Sequence, residues 1–69
     1  MRGHITTLKL DRGFGFICPA EPGPDCFFHF RQLVGLEFDE QLTGRRVEYD
    51  VTTHPRTGRP CATNVRAVG

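Results

Sequence analysis

The chain has 69 residues, with nine Lys and Arg against eight Asp and Glu, a formal net charge of +1, and 38% apolar and 25% charged residues. So short a chain buries only a modest fraction of its surface, which argues for one domain over residues 1–69 and against a large enclosed substrate cavity. Near-neutral charge argues against nucleic-acid binding driven purely by phosphate neutralisation, a mode that needs a strongly basic domain.

In chain order, HITTLKL (residues 4–10) is rich in β-branched residues and predicts a first strand, closed by the turn DRG at 11–13. FGFIC predicts the second strand, and CFFHF, at 26–30, the third. The three prolines of PAEPGPD (19–25) prevent strand pairing there, so this stretch reads as a stiff connection. In RQLVGLEFDEQL (31–42), Val34, Phe38 and Leu42 fall at i, i+4 and i+8, but Gly35 interrupts the pattern; a long loop with one helical turn is expected. After TGR at 43–45, RRVEYDVTT alternates polar and apolar residues as a fourth strand. The turn HPRTGRP (54–60) leads to CATNVRAV, the fifth. Five short strands between glycine and proline loops predict an all-β fold, a small antiparallel barrel or sandwich. The expected interior is Ile5, Ile17, Phe28, Val47, Tyr49, Val51 and Val65, a set small enough for a marginally stable domain.

Alternation along an extended strand sends Phe14 and Phe16 to one face, and Gly13, Gly15 and Ile17 to the other. Gly15 then leaves the backbone between the two rings bare for a partner lying flat. In the third strand Phe27 and His29 share a face, with Cys26, Phe28 and Phe30 alternating against them. If the two strands are neighbours, Phe14, Phe16, Phe27 and His29 form one aromatic platform. The competing reading, rings that fill a core, conflicts with the apolar bulk that Ile17 and Phe28 already supply to the opposite face. An exposed apolar patch of this kind generally binds something. Flat rings on an exposed strand face match nucleobases, at about 1–3 kcal/mol per stacked base with little dependence on base identity.

RGFGFI and DCFFHF, in this order and spacing, resemble the two nucleic-acid-binding motifs of the bacterial cold-shock protein family, KGFGFI and DVFVHF. The likeness continues through GRRVEYDV and RPCATNVRAV and covers essentially the whole chain. The RNA-recognition motif domain also carries an Arg/Lys-Gly-aromatic-Gly-aromatic run, but there the partner motif comes earlier and two helices are required. The resemblance implies a five-stranded antiparallel barrel of the oligonucleotide-binding (OB) fold that grips single-stranded RNA or DNA on its first three strands. It implies base stacking by Phe14, Phe16, Phe27, His29, Phe30 and Phe38, and a backbone contact by Arg12. Lys9, Arg31, Arg45, Arg46, Arg56 and Arg59 are further cations, of which Lys9 and Arg59 complete the expected site. The chain departs from the family at Thr6, Thr7, Leu8 and Lys9, where lysine, tryptophan, phenylalanine and asparagine are typical. In EFDE, Glu37, Asp39 and Glu40 surround Phe38 with charge that repels phosphate.

Other chemistry is weaker. Cys26 and His29 have a spacing seen among zinc ligands, yet on a strand they face opposite ways and have no second pair. Cys18 and His29 lack the orienting group and the cleft of a thiol enzyme. No catalytic residue, metal or cofactor is therefore expected. Cys18, Cys26 and Cys61 are odd in number, which favours reduced thiols. No apolar run nears the roughly 18 residues of a membrane span, and MRGHITTLKL lacks the features of a signal peptide, so a cytoplasmic location is expected. A monomer is expected, with domain swapping the alternative open to a barrel this small. The function implied is low-specificity, RNA-chaperone-like binding of single strands that acts on transcription or translation under cold stress. The rival is a barrel that has lost most binding and serves as a structural or protein-interaction module.

Overall fold

A computed structural model describes residues 1–68. Five strands, β1 (Arg2–Lys9), β2 (Phe14–Pro19), β3 (Cys26–His29), β4 (Arg46–Thr53) and β5 (Pro60–Ala67), close into a barrel in the order β1-β2-β3-β5-β4. Neighbouring strands run antiparallel except where β3 meets β5 in parallel, with Phe27 opposite Cys61. This is the expected OB-type barrel, closed by one parallel pairing. Residues 31–42 form the expected loop, but with two short 3-10 turns, Phe30–Gln32 and Glu40–Leu42, in place of the one helical turn expected. Asp39 caps the second turn, its Oδ1 accepting from Gln41 N–H at 2.9 Å.

Alternation builds the interior. Ile5, Ile17, Phe28, Val47, Tyr49 and Val65 are wholly enclosed, as the sequence predicts. Cys26, Leu42 and Ala62 join them, and Leu8, Leu33, Leu36 and Phe38 pack against this core from its edges. Leu42 enters because the second 3-10 turn folds under the barrel and plugs it. Val51 departs from the expectation: it is 44% exposed. It pairs with the buried Ala62 and so shares its face, but β4 has by then run to the mouth of the barrel, where Val51 lies beside Met1, Pro24 and Pro60. Alternation gives the face and not the depth along it.

Two further expectations are revised. The third strand stops at His29, and Phe30 opens the first 3-10 turn; the helical backbone swings its ring outward to 43% exposure instead of to the Phe28 face. Gly15 is buried, and a Cβ there would lie 2.8 Å from the Phe28 ring and 2.6 Å from the Thr7 carbonyl oxygen. The glycine between the two phenylalanines thus admits the Phe28 ring from inside the barrel; it does not bare the backbone to a partner outside.

Candidate nucleic-acid interface

Register fixes the outer face of β1, β2 and β3. Phe16 lies opposite Phe27 and Thr7, while Phe14 lies opposite His29 and Lys9. Cross-strand partners share a face, so the surface carries two rows, Thr7–Phe16–Phe27 and Lys9–Phe14–His29. For β1 this depends on an irregularity between Ile5 and Thr7. Strict alternation from the buried Ile5 would turn Thr7 and Lys9 inward; the bulge at Thr6 reverses the phase, half-burying Leu8 and turning Lys9 to the surface.

The rings of Phe14 and Phe27 are tilted by 35° at a centroid distance of 5.3 Å. Phe16 meets Phe14 and Phe27 nearly edge-on at 6.0 and 5.9 Å. All three are half-buried: their flanks pack on one another and their remaining surface faces outward. Such tilted and edge-to-face pairs contribute about 0.5–1.5 kcal/mol beyond area burial, enough to hold the rings in place without hiding them. A second group continues from this triad, with His29 against Phe30 at 4.5 Å and Phe30 against Phe38 at 6.0 Å. Phe38 also meets the core ring Phe28 at 6.5 Å, so it serves both the surface and the interior. Gly13, at φ +80°, lies under Phe30, where a Cβ would come within 2.9 Å of that ring; glycine meets both demands of the tight turn before β2.

His29 caps the first 3-10 turn, its Nδ1 accepting from Arg31 N–H at 3.3 Å. In the neutral ring an accepting Nδ1 leaves the proton on Nε2, so the free nitrogen of His29 is a donor. The Arg31 guanidinium lies 6.0 Å from the Phe30 ring centroid. Among the described residues the ion pairs are Arg66–Glu48 at 3.0 Å and Arg2–Glu48 at 3.7 Å, both away from this face. Lys9, Arg12, Arg31 and Arg59 have no carboxylate partner among them. Arg59 lines a cleft of about 520 Å³ with Thr7, Phe16, Phe27 and Asp25. Arg12 sits exposed in the β1–β2 turn, next to Gly13 and outside this cleft.

The structure therefore brings together Lys9, Phe14, Phe16, Phe27, His29 and Arg59, attaches Phe30 and Phe38 through His29, and leaves Arg12 at the margin. Sequence reasoning missed a second cleft, of about 440 Å³, between β3 and the start of the β4–β5 loop, with Phe27, His29, Gln32, Thr52, Thr53 and His54 in its lining. The signal for it lay in HPRTGRP: Arg59 there belongs to the expected site, and His54 does not. The Cys26 thiol is enclosed while His29 lies on the outer face, so the two do not converge. Burial raises the Cys26 thiol above its ordinary value, with the Tyr49 hydroxyl pulling the other way. Burial likewise pushes Tyr49 up to about 12, with Cys26 adding to the shift; its hydroxyl is enclosed without a well-formed hydrogen bond.

No helix among the described residues is long and apolar enough to cross a membrane. The family model of the 'Cold-shock' DNA-binding domain matches residues 1–68. The chain is 32% identical to Cold shock-like protein CspC of Escherichia coli (strain K12), over 99% of this chain and 96% of that one. It is 31% identical to Probable cold shock protein A of Mycolicibacterium smegmatis, over 97% of each. Among solved structures it is similar to drosophila Unr CSD456, with a TM-score of 0.74 and 28% identity over 99% of this chain, which spans 26% of that longer one.

Proposed function

The chain belongs to the cold-shock domain family, and from that premise we propose that it binds single-stranded RNA or DNA by stacking bases on Phe14, Phe16 and Phe27, with little sequence preference. The observation that carries this reading is the triad itself: three half-exposed rings on one outward face, mutually braced at 5.3–6.0 Å, on a barrel whose interior is filled by other residues. Phe30, exposed beside His29, extends the stack. Phe38 contributes the edge that the core leaves uncovered. His29 offers its Nε2–H to a base edge or a phosphate, while Lys9, Arg12 and Arg59 supply charge along the path. Stacking provides most of the affinity, at about 1–3 kcal/mol per base, which is how a protein of net charge +1 holds a polyanion. Held open in this way, an RNA cannot re-form its secondary structure, and this chaperone-like action would reach transcription or translation in the cold.

Thr7 favours the second reading, a structural or protein-interaction barrel. It sits beside Phe16 in the outer row, where the family typically carries tryptophan, and gives a base only a methyl and a hydroxyl. Titration of the protein with a short oligopyrimidine at low salt, followed by calorimetry or fluorescence, decides between the two. Saturable binding supports the first; none up to tens of micromolar leaves the second.

A further inference from the structure

The outer rows of the barrel do not end at Phe16. Beyond the bulge at Thr6 the next outward residue of β1 is His4, which lies opposite Cys18 of β2 on one side and Arg46 of β4 on the other. Arg2 follows it, opposite Glu48. Arg2, His4 and Arg46 are exposed because the alternate residues Gly3, Ile5 and Val47 turn inward. With Gly44 they line a cleft of about 370 Å³ across the β1–β4 seam, walled on its apolar sides by Ala20 and Val68. None of these residues belongs to the platform, and no phenylalanine lines the cleft, so it is not built to stack bases.

Charge is what this cleft offers. No carboxylate lines it, in contrast to the cleft beside Phe16, which holds Asp25, and to the one at the 31–42 loop, where Glu37 and Asp39 accompany Arg45. Arg46 makes no ion pair among the described residues, and Arg2 reaches Glu48 only at 3.7 Å, where Arg66 already binds that carboxylate at 3.0 Å. One carboxylate between two guanidiniums leaves a positive charge over, and Arg46 adds a second. A neutral imidazole keeps one N–H to donate in either tautomer, so His4 supplies a hydrogen bond beside the two cations. Gly44 has φ +84° and nothing within 4 Å of where a Cβ would stand, which leaves that end of the cleft open.

Two planar guanidiniums and a further donor, with no carboxylate among them, fit the oxygens of phosphodiesters. Position decides whose phosphodiesters they are. Outward residues two apart on a strand are separated by about 7 Å, so Cys18 lies one such step along β2 from Phe16 and His4 one strand beyond it. A nucleic-acid strand leaving the Phe16 ring in this direction arrives at the cleft. We propose that the backbone of a bound single strand runs from Phe16 over the β1–β4 seam, its phosphates held by Arg2, His4 and Arg46. The footprint then extends beyond the first three strands onto β4, as a segment that contacts no base. This rests on the reading of the barrel as a single-strand binder and adds to it a second part held by charge and hydrogen bonds alone.

Strand length separates the two parts. An oligo-dT of about 4 nucleotides, the lower end of the site size of such a barrel, is taken up by the rings, whereas one of about 12 reaches the cleft. At roughly −0.7 per phosphate contact, Arg2 and Arg46 should make the salt slope of the longer strand steeper by about 1.4 than that of the shorter. Arg2→Gln/Arg46→Gln should return the longer strand to the slope of the shorter and weaken it at low salt by roughly 2- to 30-fold, the weight of two exposed ion pairs. Binding of the shorter strand should not change. Arg46→Gln alone, which breaks no ion pair, should remove half of the added slope, and it carries the test if the double variant folds poorly. Equal slopes for the two lengths in the wild type, or an added slope that survives the substitutions, overturn the extension onto β4 and leave the stacking platform in place. Equal slopes together with an oligo-glutamate peptide that binds the wild type and not the variant would assign the cleft to an acidic protein segment, and overturn the extension as well. Failure of both lengths to bind overturns the platform reading, and the extension with it.

Discussion

Phe14 and Phe28 differ by a face, and that difference sets what each does. Phe28 is wholly enclosed, pressed on Gly15 and met by Phe38 at 6.5 Å. Truncating an enclosed phenylalanine costs about 3–5 kcal/mol, so Phe28→Ala is expected to unfold this small barrel or lower its thermal midpoint by more than ten degrees in a melt followed by circular dichroism. Phe14→Ala removes a half-exposed ring whose packing is with its neighbours on the platform. It should lower the midpoint by a few degrees at most and act on binding instead. Equal destabilisation by the two substitutions would show the platform to be core. These assignments were legible in the sequence because alternation is a strict consequence of extended backbone. Phe30 was not, because the backbone turns helical at that residue, and alternation no longer applies. Gly15 was legible as glycine and misread in purpose, since the ring that needs the space comes from Phe28, 13 positions further along the chain.

At the scale of elements, β1 decides how much surface the platform offers. The irregularity between Ile5 and Thr7 places Thr7 opposite Phe16 and Lys9 opposite Phe14. The strand was readable from its β-branched residues, but the bulge was not: it depends on pairing with β2, which a single strand does not encode. Because Thr7 is only half-buried and next to Phe16, an aromatic ring there would lie on the platform. Thr7→Trp is therefore expected to tighten oligopyrimidine binding by roughly 5- to 150-fold, the equivalent of one stacked base, with little change in thermal midpoint. A tighter-folded but equally weak binder would place position 7 outside the path of the strand. The loop of residues 31–42 was correctly read as a loop because Gly35 breaks its helical pattern, yet its contribution of Leu42 to the core required knowing where the 3-10 turn lands.

At the scale of the whole molecule, one buried polar group and the scattered cations set the response to solution conditions. Tyr49 titrates at about 12 in the fold against 10.0 when exposed. The unfolded chain loses this proton first, so the contribution of Tyr49 is intact below pH 10 and is lost as pH rises to 12, by roughly 2–3 kcal/mol. Denaturant melts across this range should show that loss in the wild type and a shallower slope in Tyr49→Phe, which has no proton to lose. The cations bear on binding. With Lys9, Arg12 and Arg59 as the phosphate contacts, the logarithm of the affinity should fall against the logarithm of salt with a slope of about −2, from roughly −0.7 per contact on a single strand. A slope near −5 would mean that charge, and not stacking, dominates. Near-neutral net charge pointed to this balance from composition alone; Lys9 and Arg59 are the cations the sequence singles out, and the register of β1 sets Lys9 opposite Phe14 while the β4–β5 loop brings Arg59 to a cleft with Phe16 and Phe27.

The central claim is that Phe14 and Phe27 hold bases and do not hold the fold. It is tested most directly by titrating a short oligopyrimidine at low salt into the wild type and into the double variant Phe14→Ala/Phe27→Ala, with thermal melts of both. Saturable binding at or below tens of micromolar in the wild type, lost by at least tenfold in a double variant that still melts cooperatively, is the predicted result. A double variant that binds as the wild type does, or that no longer folds, would contradict it.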